Sequence, residues 1–154
     1  VGSKEKADLA ARNGCDHVVL YNDEDFVAAV KKITRGDLCH VVYDGVGKAT
    51  FPGSLDCLKP LGMFVSFGSS SGVVPPFSIG ELQRRGSLFA TRPTLYDYIA
   101  RRRDLLEAAD TMFAAVISGS LQVPIHHAYA LKDAAKAHTE LASRATTGAA
   151  ILRP

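Results

Sequence analysis

Two stretches decide the fold: Leu38-Cys39-His40-Val41-Val42-Tyr43-Asp44-Gly45-Val46-Gly47 and Met63-Phe64-Val65-Ser66-Phe67-Gly68-Ser69-Ser70-Ser71-Gly72. In each, a largely apolar run without alternation breaks off at glycines and small polar residues. Such a run suits a strand covered on both faces, and strands of that kind belong to parallel sheets. Between them, Ala49 to Leu58 offers a short helix with Phe51, Leu55 and Leu58 on one side, and Lys59-Pro60-Leu61-Gly62 turns the chain into the second strand. Strand, helix and parallel strand make the right-handed crossover unit.

The same alternation continues outward. Upstream, Ser3 is placed to cap a helix over Lys4 to Asn13 that stops at Gly14, and His17-Val18-Val19-Leu20 reads as a buried strand. Asp23 or Asp25 can cap the next helix, which carries Phe26, Val27, Val30 and Ile33 until Arg35-Gly36 ends it. Downstream, a helical turn over Ser78 to Arg85 precedes a strand over Ser87 to Thr91. The longest helix is expected over Leu95 to Ser118, ending at Gly119. A strand near Ala128-Tyr129, a helix over Lys132 to Ser143 and a strand over Ala149 to Leu152 complete the chain. The class is α/β with a doubly wound parallel sheet, which binds ligands at the carboxyl ends of its strands. Those ends are Tyr21, the Asp44 to Gly47 loop and the Phe67 to Gly72 loop.

Composition narrows the function classes. Eighteen Lys and Arg against sixteen Asp and Glu leave +2 on 154 residues, 47% of them apolar, which excludes a disordered chain. The basic residues are dispersed, and Arg101, Arg102 and Arg103 read as the solvated start of a helix, so no nucleic-acid partner is expected. No apolar run approaches the roughly 20 residues of a bilayer span, so no membrane association and a cytoplasmic location are expected. Cys15, Cys39 and Cys57 are odd in number and lack a CxxC, which argues for reduced packing residues. The first residue is not Met, and a helix signal follows within three residues, so the text reads as starting in mid-fold.

Candidate chemistry is limited. Gly68-Ser69-Ser70-Ser71-Gly72 and Asp44-Gly45-Val46-Gly47 suit close approach of a ligand to the backbone, and equally suit a flexible connection or a tight turn. The first also spells Gly-x-Ser-x-Gly, but Gly72-Val73-Val74-Pro75-Pro76 prevents the immediate helix that a nucleophile elbow needs. His126-His127 and Cys39-His40 are adjacent pairs expected to diverge, so no metal site is expected. If Val1 is the tail of a strand, Gly2-Ser3-Lys4-Glu5-Lys6 puts a helix N-terminus and two ammonium groups where a 2′-phosphate would lie; alternatively, the lysines only solvate the first turn.

Beyond these readings, Gly2-Ser-Lys-Glu-Lys-Ala7, Val42-Tyr-Asp-Gly-Val-Gly47, Ser54-Leu-Asp-Cys-Leu58, Val65-Ser-Phe-Gly68, Gly86-Ser-Leu-Phe-Ala-Thr-Arg-Pro93 and Ser143-Arg-Ala-Thr-Thr-Gly148 occur in an order and spacing that resembles the zinc-independent NADPH:quinone oxidoreductases. These form the zeta-crystallin-like branch of the medium-chain dehydrogenase/reductase superfamily. The resemblance implies NADPH as cofactor and a quinone or conjugated carbonyl as substrate. It places Gly2, Ser3 and Lys6 after the second strand, with Lys6 at the 2′-phosphate and Tyr21 near the adenine. Gly45 and Val46 would lie beside the dinucleotide, Phe67, Gly68, Ser69 and Ser70 along the nicotinamide ribose, and Pro93, Thr94 and Leu95 near the nicotinamide. Arg144 would reach back toward the phosphate end. No residue stands out as a catalytic acid, base or nucleophile.

The resemblance also implies what these residues do not include. Residues 1–154 correspond to a partial, Rossmann-like NADP-binding domain, incomplete because its first two strands are absent, plus the helix and strand that return to a missing catalytic domain. In the order 3-2-1-4-5-6 the absent strands are central, so His17 to Leu20 and Leu38 to Tyr43 are expected to lack neighbours, and a missing N-terminal part of the same protein would supply them. A homodimer is expected through the strand Ser87 to Thr91. Alternatives are an alkenal or enoyl reductase of the same superfamily, or a non-catalytic nucleotide-binding or dimerisation module.

Overall fold

A computed structural model describes residues 1–143 and 146–154, which divide into two units, 1–94 and 95–154. In the first unit, Ser3 caps a helix over Lys4–Arg12 (α1) by accepting the Lys6 backbone N–H, and Gly14 takes a positive φ just past its end. Asp25 rather than Asp23 caps the next helix, Phe26–Ile33 (α2), its carboxylate accepting the Val27 and Ala28 N–H groups. There follow the strand Cys39–Asp44 (β1), a single helical turn over Gly53–Asp56 (α3), the strand Leu58–Ser66 (β2), the helix Gly80–Arg84 (α4) and the strand Phe89–Thr91 (β3).

The three strands form a parallel sheet in the order β1-β2-β3, so the α/β class and its parallel pairing are as read from the apolar runs. Two segments differ from the sequence reading. The helix expected over Ala49 to Leu58 shrinks to four residues, because Pro52 cannot donate to a preceding carbonyl and Gly53 follows it. The turn expected at Lys59-Pro60-Leu61-Gly62 is absorbed into β2 as an irregularity: Cys39 pairs with Leu58, but Val41 already pairs with Met63. Leu61 adopts positive φ there, and Gly62 is pressed so closely on the Lys59 carbonyl that a Cβ would fall 2.8 Å from it.

The core of this unit is Leu55, Leu58, Phe64 and Leu88, with Val42, Phe51, Val74 and Leu82 packed around it. Side chains of this size each contribute about 1.5–3 kcal/mol on full burial. Arg85 at the end of α4 fastens that helix to α3 by pairing with Asp56 at 2.6 Å and also with Glu81.

His17 to Leu20 is extended but joins no sheet. A strand needs a hydrogen-bonded neighbour, and among the described residues Val1 alone provides one: the Val1 amino group donates to the Val19 carbonyl at 2.8 Å and the Tyr21 N–H donates to the Val1 carbonyl at 3.2 Å. That is the bond pattern of a parallel pair, with Val1 beside Leu20. Between this segment and β1 lies a cavity of about 340 Å³ whose lining includes Val18, Val19, Val42, Tyr43 and Cys57. On β1, Val41 and Tyr43 are exposed.

The second unit contains a turn of helix over Leu95–Tyr98 (α5), the helix Arg102–Ile117 (α6), the strand Ile125–Ala130 (β4), a 3₁₀ turn over Leu131–Asp133, the helix Ala134–Ala142 (α7) and the strand Ala149–Arg153 (β5). The single helix expected over Leu95 to Ser118 is therefore two. Arg101 stands in extended conformation at the α6 N-cap, its guanidinium 2.6 Å from Asp104 in the first turn. Strands β4 and β5 pair in parallel, and Tyr129 donates to Glu140 of α7 at 2.6 Å. No helix among the described residues is long and apolar enough to cross a membrane.

Because Leu55 is wholly buried at the centre of the first unit's core, Leu55→Ala is expected to cost about 2–5 kcal/mol, read as a lower denaturation midpoint with unchanged slope.

Candidate functional site

The carboxyl ends of β1 and β2 carry two loops that are laced together. The centre of the lacing is Asp44, the last residue of β1, which is 4% exposed. Its Oδ1 accepts the N–H groups of Val46 at 2.8 Å and Gly47 at 2.9 Å, and its Oδ2 accepts the hydroxyls of Thr50 and Ser54, each at 2.7 Å. Burial pushes the carboxyl pKa up, but the bonds from Ser54, Gly47, Thr50 and Val46 together outweigh burial and hold it below the ordinary aspartate value. Asp44 is thus an anion whose acceptors are filled by its own loop.

From this fixed end the second loop is hung. The Asp44 carbonyl accepts the N–H groups of Phe67 and Gly68, the Gly45 carbonyl accepts that of Ser70, and the Val46 carbonyl accepts both the N–H and the hydroxyl of Ser71. The glycines have a use the sequence did not disclose. A Cβ on Gly68 would fall 2.6 Å from the Gly45 carbonyl oxygen, one on Gly47 2.4 Å from the Gly72 carbonyl oxygen, and one on Gly45 3.0 Å from the Phe67 ring. The missing side chains serve loop-to-loop contact first. The backbone from 73 to 78 is irregular, so no helix follows the Gly-x-Ser-x-Gly spelling directly.

A second cluster forms at the start of the unit. Asn22 donates to the Gly2 carbonyl at 2.9 Å, and a Cβ on Gly2 would lie 3.2 Å from the Tyr21 hydroxyl. Beside them begins α1, capped by Ser3, with half-buried Lys6 in its first turn and no carboxylate within ion-pair distance of that lysine among the described residues. A helix N-terminus, an uncompensated ammonium and a half-exposed aromatic are thereby gathered within a few residues.

Of the residues read from the sequence, Gly2, Ser3, Lys6 and Tyr21 therefore come together, as do Gly45, Val46, Phe67, Gly68, Ser69 and Ser70. Pro93 and Thr94 follow β3 at the same end of the sheet, Leu95 opens the second unit, and Arg144 lies outside the described residues. Asp44, Thr50, Ser54 and Arg92 were not among them, although an acidic residue closing an apolar strand is a signal for the first.

No group of three His, Cys, Asp or Glu residues converges among the described residues. His126 and His127, expected to diverge, both bond Thr147, one through its hydroxyl and the other through its N–H. All three cysteines are free, and burial, then the neighbouring Cys39 and Asp56, push the Cys57 thiol up to about 11, which leaves it protonated and unreactive near neutral pH.

Comparison with known proteins gives a consistent answer. Residues 13–152 match the family described as zinc-binding dehydrogenase. A quinone oxidoreductase of Salmonella typhimurium is 47% identical over 156 aligned positions, covering 100% of this chain and 48% of the relative. A 2-haloacrylate reductase of a Burkholderia species is 41% identical, covering 100% of this chain and 46% of the relative. The crystal structure of Escherichia coli quinone oxidoreductase complexed with NADPH superposes with a TM-score of 0.95 at 45% identity, over 100% of this chain and 48% of that one. The chain spans about half the length of the curated relatives it matches.

Since the folded protein holds the Asp44 proton less tightly than the unfolded chain does, this stabilisation is fully present above the ordinary aspartate value of about 3.9 and fades as pH falls through the folded value. Asp44→Asn is expected to lose about 1–3 kcal/mol at pH 7 and to flatten the acid limb of a melting-temperature-against-pH curve.

Proposed function

The chain belongs to the zinc-binding dehydrogenase family, and on that premise we propose that it is the cofactor-binding portion of an NADPH-dependent quinone reductase, transferring hydride to a quinone or another conjugated carbonyl. The reading is carried by the pairing of two tightly laced glycine loops at one end of a parallel sheet with the cationic helix start at Lys6, in a chain of the same fold as an NADPH-bound quinone oxidoreductase. The family's description names zinc. The protein is proposed to work in the zinc-independent manner, as the resemblance of its motifs to the zinc-independent quinone oxidoreductases implies.

The roles proposed for the residues follow their chemistry. Lys6, with the α1 N-terminus behind it and Ser3 and Gly2 at its start, holds the 2′-phosphate; Tyr21 covers the adenine end; and Arg144 supplies a second, fork-shaped cation for the phosphates. Gly45 and Val46 line the dinucleotide. Phe67, Gly68, Ser69 and Ser70 lie along the nicotinamide ribose, and Pro93, Thr94 and Leu95 border the nicotinamide. Bound NADPH supplies the hydride, and the protein orients it toward the acceptor and keeps the two in register. No side chain of this chain is assigned a proton-transfer step.

Residues 1–154 are accordingly read as a partial NADP-binding Rossmann domain, followed by the helix and strand that return to a catalytic domain. The cavity between His17 to Leu20 and β1 is where two further strands of the same polypeptide are proposed to lie, covering Val18, Val19, Val41 and Tyr43. Strand β3 is exposed along its length and pairs on one side with β2, so its outer edge is the proposed seam of a homodimer. A cytoplasmic location is proposed. The 2-haloacrylate reductase at 41% identity favours a second reading, reduction of an activated alkene, which shares the cofactor site and differs in the acceptor.

Comparing NADPH oxidation by the whole protein with quinones and with conjugated alkenes decides between these readings, and quinones are expected to be reduced faster. Lys6→Ala is expected to weaken NADPH binding about 10–100-fold while leaving NADH binding unchanged, read by fluorescence titration of the two nucleotides. Equal losses for both would remove Lys6 from the 2′-phosphate.

A further inference from the structure

Arg92, the residue after β3, reaches across to the loop that follows β2. One nitrogen of its guanidinium, Nη1, donates to the Ser66 carbonyl at 3.2 Å, to the Ser66 hydroxyl at 3.1 Å and to the Gly68 carbonyl at 3.0 Å. Ser66 is buried, at 6% exposure. Among the described residues no carboxylate lies within ion-pair distance of Arg92, so its charge serves these oxygens and no salt bridge. The following Pro93 disfavours helical backbone at Arg92 and keeps the residue in line with β3.

The loop it holds is gripped from the other side as well. The N–H groups of Phe67 and Gly68 donate to the Asp44 carbonyl at 3.0 and 3.3 Å, and the Cα of Gly68 is pressed against Gly45 so closely that a Cβ would clash. Gly68 therefore has its N–H fixed by β1 and its carbonyl fixed by β3. The peptides on either side of Gly68 are thus each held, and the one that follows it cannot rotate without breaking a charge-assisted hydrogen bond.

We infer that Arg92 is a positioning residue that locks the Phe67 to Ser70 segment to Pro93 and Thr94, so that the two segments flanking the nicotinamide end of the cofactor site move as one body. The inference rests on the functional reading above. It assigns Arg92 no contact with the cofactor or the substrate. Holding a reactive geometry is worth most where hydride transfer demands alignment, and small displacements there cost large factors in rate.

The test uses the whole protein with Arg92→Met, which keeps the stem, and Arg92→Lys, which keeps the charge. In the cofactor-free protein, Arg92→Met is expected to speed amide hydrogen exchange across residues 67–70 while the melting temperature stays near wild type. With NADPH and a quinone, kcat is expected to fall about tenfold or more. The preference for NADPH over NADH should be unchanged, because the 2′-phosphate end is untouched. Arg92→Lys should recover part of both effects by reaching the Gly68 carbonyl. Unchanged exchange and kcat would overturn the inference, as would a lost NADPH preference, which would make Arg92 a phosphate contact. Unfolding of both variants at assay temperature would also overturn it, since Arg92 would then hold the fold. A wild-type protein that reduces no quinone with NADPH defeats the functional reading itself, and this inference with it, whereas an active wild type with an equally active Arg92→Met defeats only the inference.

Discussion

The buried carboxylate of Asp44 is the constraint on which the site depends. An anion at 4% exposure is tolerable only if its lone pairs are filled, and here two backbone N–H groups and two hydroxyls fill them. Satisfying that one group bends the Gly45 to Gly47 turn, draws Thr50 and Ser54 to the carboxyl end of β1 and leaves the Asp44 carbonyl free to receive the next loop. The turn is rigid because loosening it would strand a buried charge.

That rigidity propagates sideways through the sheet. Strands β1, β2 and β3 are bonded in parallel, and their carboxyl ends are joined again beyond the ladder, by Asp44 to the Phe67 loop and by Arg92 from β3 back to Ser66 and Gly68. The strand ends are thus cross-braced by main chain on one side and by a guanidinium on the other. Glycine at 45, 47 and 68 allows the braces to lie in contact. A surface built this way presents backbone and small hydroxyls at fixed positions, the kind of surface on which a long, rigidly held nucleotide can be aligned.

The opposite flank of the sheet is organised differently. Val1 makes two parallel-type bonds to Val19 and Tyr21, while between the His17 to Leu20 segment and β1 there is a cavity whose walls include valines, two tyrosines and cysteines. Apolar residues facing such a space gain nothing from water, which is the physical reason for reading the cavity as the place of further strands.

Much of this was legible in the residues themselves. The apolar runs at Leu38 to Tyr43 and Met63 to Phe67, the caps Ser3 and Asp25, and the stops at Gly14 and Gly36 act within a few residues of themselves, so the sequence alone determined these two strands, their parallel pairing and the ends of the first two helices. The family motifs likewise named the loops at the strand ends. Tertiary structure decided the rest: that His17 to Leu20 forms no sheet without neighbours, that the loop glycines serve contact with each other, and that Asp44 and Arg92 brace the site. Each of these depends on groups as much as 26 residues apart in the chain. Their energies arise only on desolvation and contact, and no local pattern records which distant partner will be there.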